Sequence, residues 1–182
     1  MNANESQQNN QNRPRKRSRD NARGSKELEE KVVQIRRVSK TGKGGRTMSF
    51  TALVVVGNKQ GSVGIGLGKA NEVKEAVRKG VDQAKKHMTK IQLEKDTIMH
   101  EVTSKFKAAK VLLKPASKGT GVIAGSSIRV VLELVGVKDI LTKQLGSSNP
   151  INNAYATLEA LTTVRDQVKI SQLRAESVQN NS

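Results

Sequence analysis

Glycine and cationic residues are interleaved in one short segment, and this combination suits contact with a phosphate backbone. Residues 39–46 contain three cations, three glycines and two hydroxyl side chains. Glycine lets a main chain approach closely with its amides toward anionic oxygens, while lysine and arginine supply charge. The alternative is an ordinary flexible hairpin tip, but the charge of the chain favours RNA. The candidate RNA-binding residues of this segment are Ser39, Lys40, Thr41, Lys43, Gly44, Gly45 and Arg46.

A second glycine run spans residues 64–69 and ends in a lysine, but its spacing does not suit nucleotide binding. A P-loop would need glycine where Val63 stands and Ser or Thr where Ala70 stands, and a dinucleotide fingerprint would need one more residue between the last two glycines. The run is better explained as a strand with one bare face, over which another backbone, of protein or RNA, passes closely. We add to the candidate RNA contacts Gly64, Gly66, Gly68 and Lys69, and Lys59 in the preceding turn.

A third glycine-rich segment, residues 119–125, precedes a predicted helix and is one residue too long for the dinucleotide pattern. Its amides suit a phosphate at the helix start. A tight strand-to-helix turn or a contact with another protein explains the segment equally well, and the residues alone do not separate these three interpretations.

Residues typical of catalysis or metal binding form no constellation. His87 and His100 have no partner at ligand or catalytic spacing, and neighbouring glutamates such as Glu29 and Glu30 are better explained as surface charges. We therefore expect no enzyme activity, no cofactor, no metal and no small-molecule substrate.

Composition points to a polyanionic partner. The chain has 182 residues, 33 Lys and Arg against 16 Asp and Glu, and a net charge of +17, which favours nucleic acid over an anionic membrane. No apolar run approaches the ~20 residues of a spanning helix, and we expect no signal peptide, because the first apolar cluster begins at Val32. The absence of cysteine from the sequence is consistent with a reducing cytoplasm. Aromatic residues make up only 2%, so we expect contacts with phosphates, sugars and groove shape rather than base stacking.

The chain divides into four segments by composition and periodicity. Residues 1–26 are Asn/Gln-rich and basic and predict a disordered arm. Residues 27–90 predict three strands, near 33–39, 47–58 and 62–68, and a helix at 71–88 capped by Asn71. The fold class is α+β.

Residues 91–170 form a second α+β unit, followed by a tail at 171–182. A connector at 89–96 leads to strands at 97–103 and 105–114, and a helix follows the third glycine segment. Residues 137–146 fit either a strand or a short helix. Asn149 and Pro150 predict the start of a helix that runs to 164.

The ordered motifs closely resemble the fifth protein of the bacterial small ribosomal subunit. The resemblance rests on stretches at residues 37–46 (RVSKTGKGGR), 50–57, 63–73, 114–137 and 146–161, which cover most of the chain from about 27 to 165. It implies an N-terminal domain similar to double-stranded-RNA-binding domains, with a three-stranded sheet and a helix. A C-terminal α+β domain with a four-stranded sheet and two helices would follow it.

The resemblance also implies a role and partners. Family members bind small-subunit rRNA in the cytoplasm, brace the head of the subunit against its body and lie near the messenger entry path. They contact the fourth and eighth small-subunit proteins and influence translational accuracy. The family's loop near the spectinomycin site in the head–body neck maps to residues 39–46, and Arg37 joins the candidate RNA contacts. The accuracy surface maps to Pro115, Ser117, Gly119, Gly121 and Arg129.

Two other functions remain open from the residues. A free-standing double-stranded-RNA regulator or RNA chaperone would explain the first unit but gives the second no role. An enzyme that uses the second unit to bind ATP rests on fold analogy alone.

Overall fold

The computed structural model describes residues 28–91, 93 and 96–179, with side chains up to Val164. The basic arm that we predict at 1–26 lies outside these residues. Within them the chain forms two four-stranded sheets with three helices, which confirms the α+β class.

The first sheet is antiparallel, with the strand order β1-β2-β3-β4. Its elements are β1 (Glu29–Gly42), β2 (Gly45–Gly57), β3 (Ser62–Ala70), α1 (Val73–Lys86) and β4 (Thr89–Lys90). The three predicted strands and the helix are confirmed, and β4 adds a short edge strand within the predicted connector. The predicted cap is wrong, because α1 has Glu72 rather than Asn71 at its N-cap and no side-chain capping bond.

The alternation of side chains along β2 determines which of its residues contact α1. Ala52, Val54 and Val56 are buried in a cluster with Ala76 and Ala84 of α1. The intervening residues Leu53 and Val55 point to the other face of the sheet and join a different cluster. Both faces of β2 are therefore buried over this stretch, which explains its nearly continuous apolar sequence.

The second sheet has the order β5-β6-β8-β7, with β7 parallel to β8 and the other pairs antiparallel. Its elements are β5 (Val102–Phe106), β6 (Ala109–Pro115), β7 (Val122–Ile123), α2 (Ser126–Val135), β8 (Ile140–Gln144) and α3 (Pro150–Gln179). Asn149 caps α3 as predicted, since its Oδ1 accepts a hydrogen bond from the Ile151 amide at 3.1 Å.

Three predicted boundaries of this unit are wrong or incomplete. The chain reverses after Phe106, with Lys107 at φ +53°, so the predicted strand 105–114 is divided between β5 and β6. Most of the predicted strand 97–103 lies before β5. Helix α3 continues to Gln179, across most of the predicted tail. The ambiguous segment 137–146 contains the strand β8.

One apolar core joins the two sheets. Leu53, Val55 and Ile65 of the first sheet belong to the same buried cluster as Val131 and Leu132 of α2. That cluster also includes residues of α3 and of the second sheet. Helix α2 therefore lies between the sheets, and the molecule is layered as helix, sheet, helices and sheet.

The turn after β2 fastens the first unit to the end of α2. The Lys59 amide donates to the Leu134 carbonyl at 2.9 Å, and the Gly61 amide donates to the Val135 carbonyl at 2.8 Å. A Cβ at Gly57 would overlap the Leu134 carbonyl, and a Cβ at Gly136 would overlap the Lys59 carbonyl. Glycine at these two positions lets the backbones meet directly.

Candidate nucleic-acid interface

A two-stranded hairpin extends beyond the body of the first sheet. Strand β3 ends opposite Phe50, whereas β1 and β2 stay paired to Gly42 and Gly45. We call residues 38–49 the projecting hairpin. The loop predicted at 39–46 is thus a paired ladder closed by the two-residue turn Lys43–Gly44. Glycine is depleted in strands, so this glycine-rich stretch looked like a loop.

The hairpin and its base carry cations on both faces and at the tip. Lys40 and Arg36 lie on one face, and Arg37 and Arg46 lie on the other, because Arg37 pairs with Phe50 and Arg46 with Thr41. Lys43 lies in the turn. All five side chains are exposed, so a polyanion can approach the hairpin from several directions.

A basic row crosses the base of the hairpin and includes a residue that we did not predict. Arg36 pairs with Thr51, and Thr51 pairs with Lys69, so the three side chains lie side by side on one face. Lys69 was a predicted RNA contact, whereas Arg36 was not. The alternation of side chains along β1 would have identified Arg36 as a candidate, because Arg36 is four residues before Lys40 and lies on the same face of the strand.

This part of the chain has no compensating negative charge. No Asp or Glu occurs between Glu30 and Glu72, a stretch that contains eight Lys and Arg residues. Within the described residues, none of Arg36, Arg37, Lys40, Lys43, Arg46 and Lys69 forms an ion pair. Their charge is therefore not offset within the described fold.

The small residues of the projecting hairpin are exposed to solvent. The hydroxyl residues Ser39 and Thr41 are exposed on the face of Arg37. A Cβ at Gly44 or Gly45 would meet nothing within 4 Å, and Gly45 has φ +133°, a conformation that favours glycine. The tip backbone is thus accessible to a close ligand, as the interleaved glycines predict.

The three glycines of β3 form the bare strand face that the sequence predicts, but protein rather than RNA covers it. Gly64, Gly66 and Gly68 are buried, and a Cβ on them would overlap the carbonyl oxygens of Ala84, Gly80 and Ala76 in turn. The backbone that passes over the bare strand face is the chain's own helix α1. Because the helix covers these glycines, we remove them from the candidate RNA contacts.

Lys59 lies far from the projecting hairpin. It follows Gly57, at the opposite end of β2 from the tip, which is roughly 40 Å along a 13-residue strand. Its ammonium pairs with Glu29 at 2.5 Å, and its backbone contacts α2. The structure therefore groups Lys59 with the junction between the two units rather than with the basic hairpin.

Among the predicted protein-contact residues, Pro115 ends β6, and Ser117, Gly119 and Gly121 follow it in the loop between β6 and β7. Gly119 and Gly121 have φ +93° and +76°, and a Cβ at either would meet nothing within 4 Å. Both of their amides donate to Oδ1 of Asp139, at 3.0 and 2.9 Å. Asp139 is buried and lies just before β8, so it fixes the loop from beneath.

Arg129, the remaining protein-contact candidate, lies on the exposed side of α2. Its Nε donates to Glu133 at 2.9 Å, and Glu133 also accepts from Lys31 of β1 at 2.8 Å. Hydrogen bonds from Lys31 and Arg129 lower the pKa of Glu133, and the bond to Glu133 raises the pKa of Lys31. Arg129 therefore belongs to an ionic network that links the two units.

Features of other functional classes are weak in the described part of the chain. There, no three Asp, Glu or His side chains are grouped as metal ligands would be. His87 is exposed, with its Nδ1 3.0 Å from the Gln83 carbonyl. None of the described helices combines the length and the hydropathy that a membrane crossing requires.

Comparison with known proteins identifies the family. Residues 28–92 match the profile "Ribosomal protein S5, N-terminal domain", and residues 104–174 match "Ribosomal protein S5, C-terminal domain". A relative from Picosynechococcus is 51% identical over 91% of this chain and 96% of its own length. A relative from Bacteroides thetaiotaomicron is 54% identical over 84% of this chain and 89% of its own length. Both relatives are named "Small ribosomal subunit protein uS5". The chain belongs to the ribosomal protein S5 family.

Proposed function

We propose that this protein is a structural, non-enzymatic component of the small ribosomal subunit in the cytoplasm, and that it binds small-subunit rRNA mainly through the projecting hairpin. The observation that carries the proposal is the set of exposed cations, Lys40, Lys43 and Arg46, on a two-stranded extension without an acidic residue. Family membership and the names of the relatives support the same role.

The hairpin suits phosphate recognition for physical reasons. It is narrow enough to enter between RNA segments and presents arginine or lysine on two faces and at the tip. Each cation that neutralises a phosphate releases condensed counterions and strengthens binding at low salt. The described aromatic rings are engaged within the fold, since Phe106 stacks on Tyr155 at 5.3 Å and Phe50 packs against the α1 cluster.

Two faces of the molecule support a bracing role between the head and body of the subunit. The basic hairpin extends from the first unit. Pro115 at the end of β6 and the Asp139-fixed loop, with Ser117, Gly119 and Gly121, belong to the second. We propose that the hairpin binds rRNA near the messenger entry path. The loop and Arg129 would contact the fourth small-subunit protein and influence translational accuracy, and the eighth protein is a further neighbour.

The domain limits in this proposal are 27–90 for the RNA-binding unit and 91–170 for the C-terminal unit, between the arm at 1–26 and the tail at 171–182. The shared core means that the two units bind their partners as one body.

Sucrose-gradient fractionation of cells that produce a tagged chain tests this function. The tagged protein should sediment with small subunits at stoichiometric level. Lys43→Ala with Arg46→Ala should lower its fraction in that peak more than the matched pair Lys74→Ala with Lys79→Ala on the exposed side of α1. Exclusion of the parent chain from small subunits, with a soluble pool that binds generic RNA duplexes, would instead favour a free-standing regulator.

A further inference from the structure

The two faces of the projecting hairpin differ in their chemistry. Pairing and alternation along β1 and β2 place on one face the side chains of Val38, Lys40, Thr47 and Ser49. That face is polar and cationic apart from the half-buried Val38. Met48 lies on the opposite face, which continues the side of the sheet that α1 covers. The hairpin therefore offers a ligand two unlike surfaces.

Three apolar side chains follow one another on the face of Met48. Met48 and Phe50 are two residues apart on β2, so their side chains point the same way. Ile35 pairs with Ala52 and is therefore the diagonal neighbour of Phe50 on that face. Diagonal neighbours lie roughly 7–8 Å apart, within reach of aromatic and long side chains. We call Ile35, Met48 and Phe50 the apolar strip.

Folding of the described chain does not account for the apolar strip. Ile35 is 45% exposed and Met48 43%, and neither side chain packs against a buried apolar cluster of the described residues. Phe50 is half-buried because it packs against the α1 cluster. Strand β3 ends with Ala70 opposite Phe50, so it does not extend alongside Met48. Exposed apolar side chains that adjoin one another mark an interaction site.

Two arginines flank the apolar strip on the same face. Arg37 pairs directly with Phe50, and Arg46 is two residues before Met48 on β2. Both arginines are exposed, and within the described residues neither forms an ion pair. A nucleotide combines an anionic phosphate with a flat base that stacks on apolar or guanidinium surfaces. Apolar side chains between two guanidinium groups complement both parts of a nucleotide.

Size and charge favour RNA over a protein as the occupant. A stable protein interface needs about 20–30 residues from each partner, whereas the apolar strip consists of three side chains on a narrow hairpin. Cations also lie on the opposite face, and no Asp or Glu occurs between Glu30 and Glu72. A protein would therefore need acidic groups on both sides of the hairpin. A base within a regular RNA helix is stacked on its neighbours, so only an unpaired base presents its flat face.

We infer that the apolar strip holds the base of one unpaired rRNA nucleotide, and that Arg37 and Arg46 hold the adjoining phosphates. The opposite face of the hairpin contacts phosphates and sugars alone. The inference rests on the proposed function, because rRNA is the partner already assigned to the hairpin. The low aromatic content of the chain predicts little base stacking. At this one point a thioether and an aliphatic side chain, beside a half-buried ring, take the place of an aromatic platform.

Photocrosslinking in assembled small subunits tests the inference. Benzoylphenylalanine replaces Met48 in one variant and Thr47, on the opposite face, in a matched control. Position 48 should crosslink to one nucleotide, and position 47 should crosslink to different nucleotides. In protein-free rRNA, the base that crosslinks to position 48 should react with reagents selective for unpaired bases.

Acylation of the ribose 2′-hydroxyl, which reports the mobility of a nucleotide, provides a second readout in assembled subunits. Met48→Ser should raise the acylation of the crosslinked nucleotide about threefold, because its base loses an apolar contact. Met48→Leu keeps an apolar side chain and should retain the value of the parent. Thr47→Ser on the opposite face should also leave this acylation unchanged.

Three kinds of result would overturn the inference. The first is a crosslink from position 48 to a protein or to a base-paired nucleotide, and the second is equal acylation in Met48→Ser and Met48→Leu subunits. The third is a crosslink to rRNA from position 47 alone, which would leave the proposed function intact. The absence of rRNA crosslinks from both positions would refute the proposed function together with the inference.

Discussion

At the scale of single residues, glycine has opposite roles in the two segments where it is abundant. In β3, Gly64, Gly66 and Gly68 are covered by the backbone of α1. In the hairpin, Gly44 and Gly45 lie in open space. The same residue type therefore permits helix packing in one case and leaves a backbone accessible in the other. Only three-dimensional context separates these two uses.

Adding a methyl group distinguishes the two roles. Gly66→Ala should lower the free energy of unfolding by about 2–3 kcal/mol, because its Cβ overlaps a helix carbonyl that can move only if α1 shifts. Gly44→Ala is the matched control and should change stability by less than about 0.5 kcal/mol. Urea unfolding of both variants measures the difference. Equal stability of the two would mean that α1 is not packed against the glycine row.

Removing the Asp139 carboxylate should release the loop that it fixes. In Asp139→Ala the amides of Gly119 and Gly121 lose their acceptor, and we expect a loss of about 2 kcal/mol in stability. Their protection from hydrogen exchange should also disappear. Asp139→Asn keeps the Oδ1 acceptor and should retain part of that protection. Unchanged exchange at both glycines in the alanine variant would contradict the role assigned to Asp139.

At the scale of elements, the periodic segments were predictable and the connections were less so. The period-two run in β2 and the period-3.6 stripes of α1 and α3 are local patterns, so the sequence alone locates these elements. The turn at Lys107 was not predictable, because residues 105–114 look like one strand and a lysine at positive φ leaves no signal. Gly64, Gly66 and Gly68 were misassigned because the residues do not reveal which backbone crosses a bare strand.

The hairpin, as an element, should dominate the salt dependence of RNA binding. Loss of two phosphate contacts in Lys43→Ala with Arg46→Ala should reduce the slope of log K against log salt by about 2 for a duplex RNA. Lys74→Ala with Lys79→Ala removes the same charge from α1 and should leave the slope nearly unchanged. Titrations with a labelled duplex at several salt concentrations measure both slopes. Equal reductions would mean that the basic surface is diffuse.

At the scale of the whole molecule, the two units share one core and an ionic link. Composition and motifs predict two α+β units, but the joint between them depends on contacts distant in sequence, such as Lys31 with Glu133. Glu133 also accepts from Arg129, a predicted partner-contact residue. The exposed side of α2 and strand β1 therefore share one carboxylate.

The ionic link makes stability depend on pH in a defined direction. The pKa of Glu133 is lowered mainly by its hydrogen bond to Lys31 and also by its bond to Arg129. The contribution of Glu133 to stability is therefore fully present when the pH is above its ordinary pKa of 4.5. That contribution is lost as the pH falls through the lowered pKa of the folded protein. Glu133→Gln should cost about 0.5–1 kcal/mol at pH 7, since the pair is one-third exposed.

Urea unfolding at pH 7 and at pH 3 measures this effect. The difference between parent and Glu133→Gln should shrink at the lower pH, because protonation of Glu133 in the parent increases as the pH falls. Glu159→Gln, at an exposed glutamate of α3, controls for the change in net charge. A difference that is constant with pH would show that Glu133 does not act through its charge.

Directed hydroxyl-radical probing tests the central claim, that the projecting hairpin contacts small-subunit rRNA. The chain has no cysteine, so Gly44→Cys creates a unique site for tethered iron at the tip of the hairpin. In small subunits assembled with this variant, we predict strong cleavage of the rRNA confined to a few neighbouring segments. Iron at Asp82→Cys on α1 should give weaker cleavage at other segments. Normal incorporation of the Gly44→Cys variant without rRNA cleavage from its tip would contradict the account.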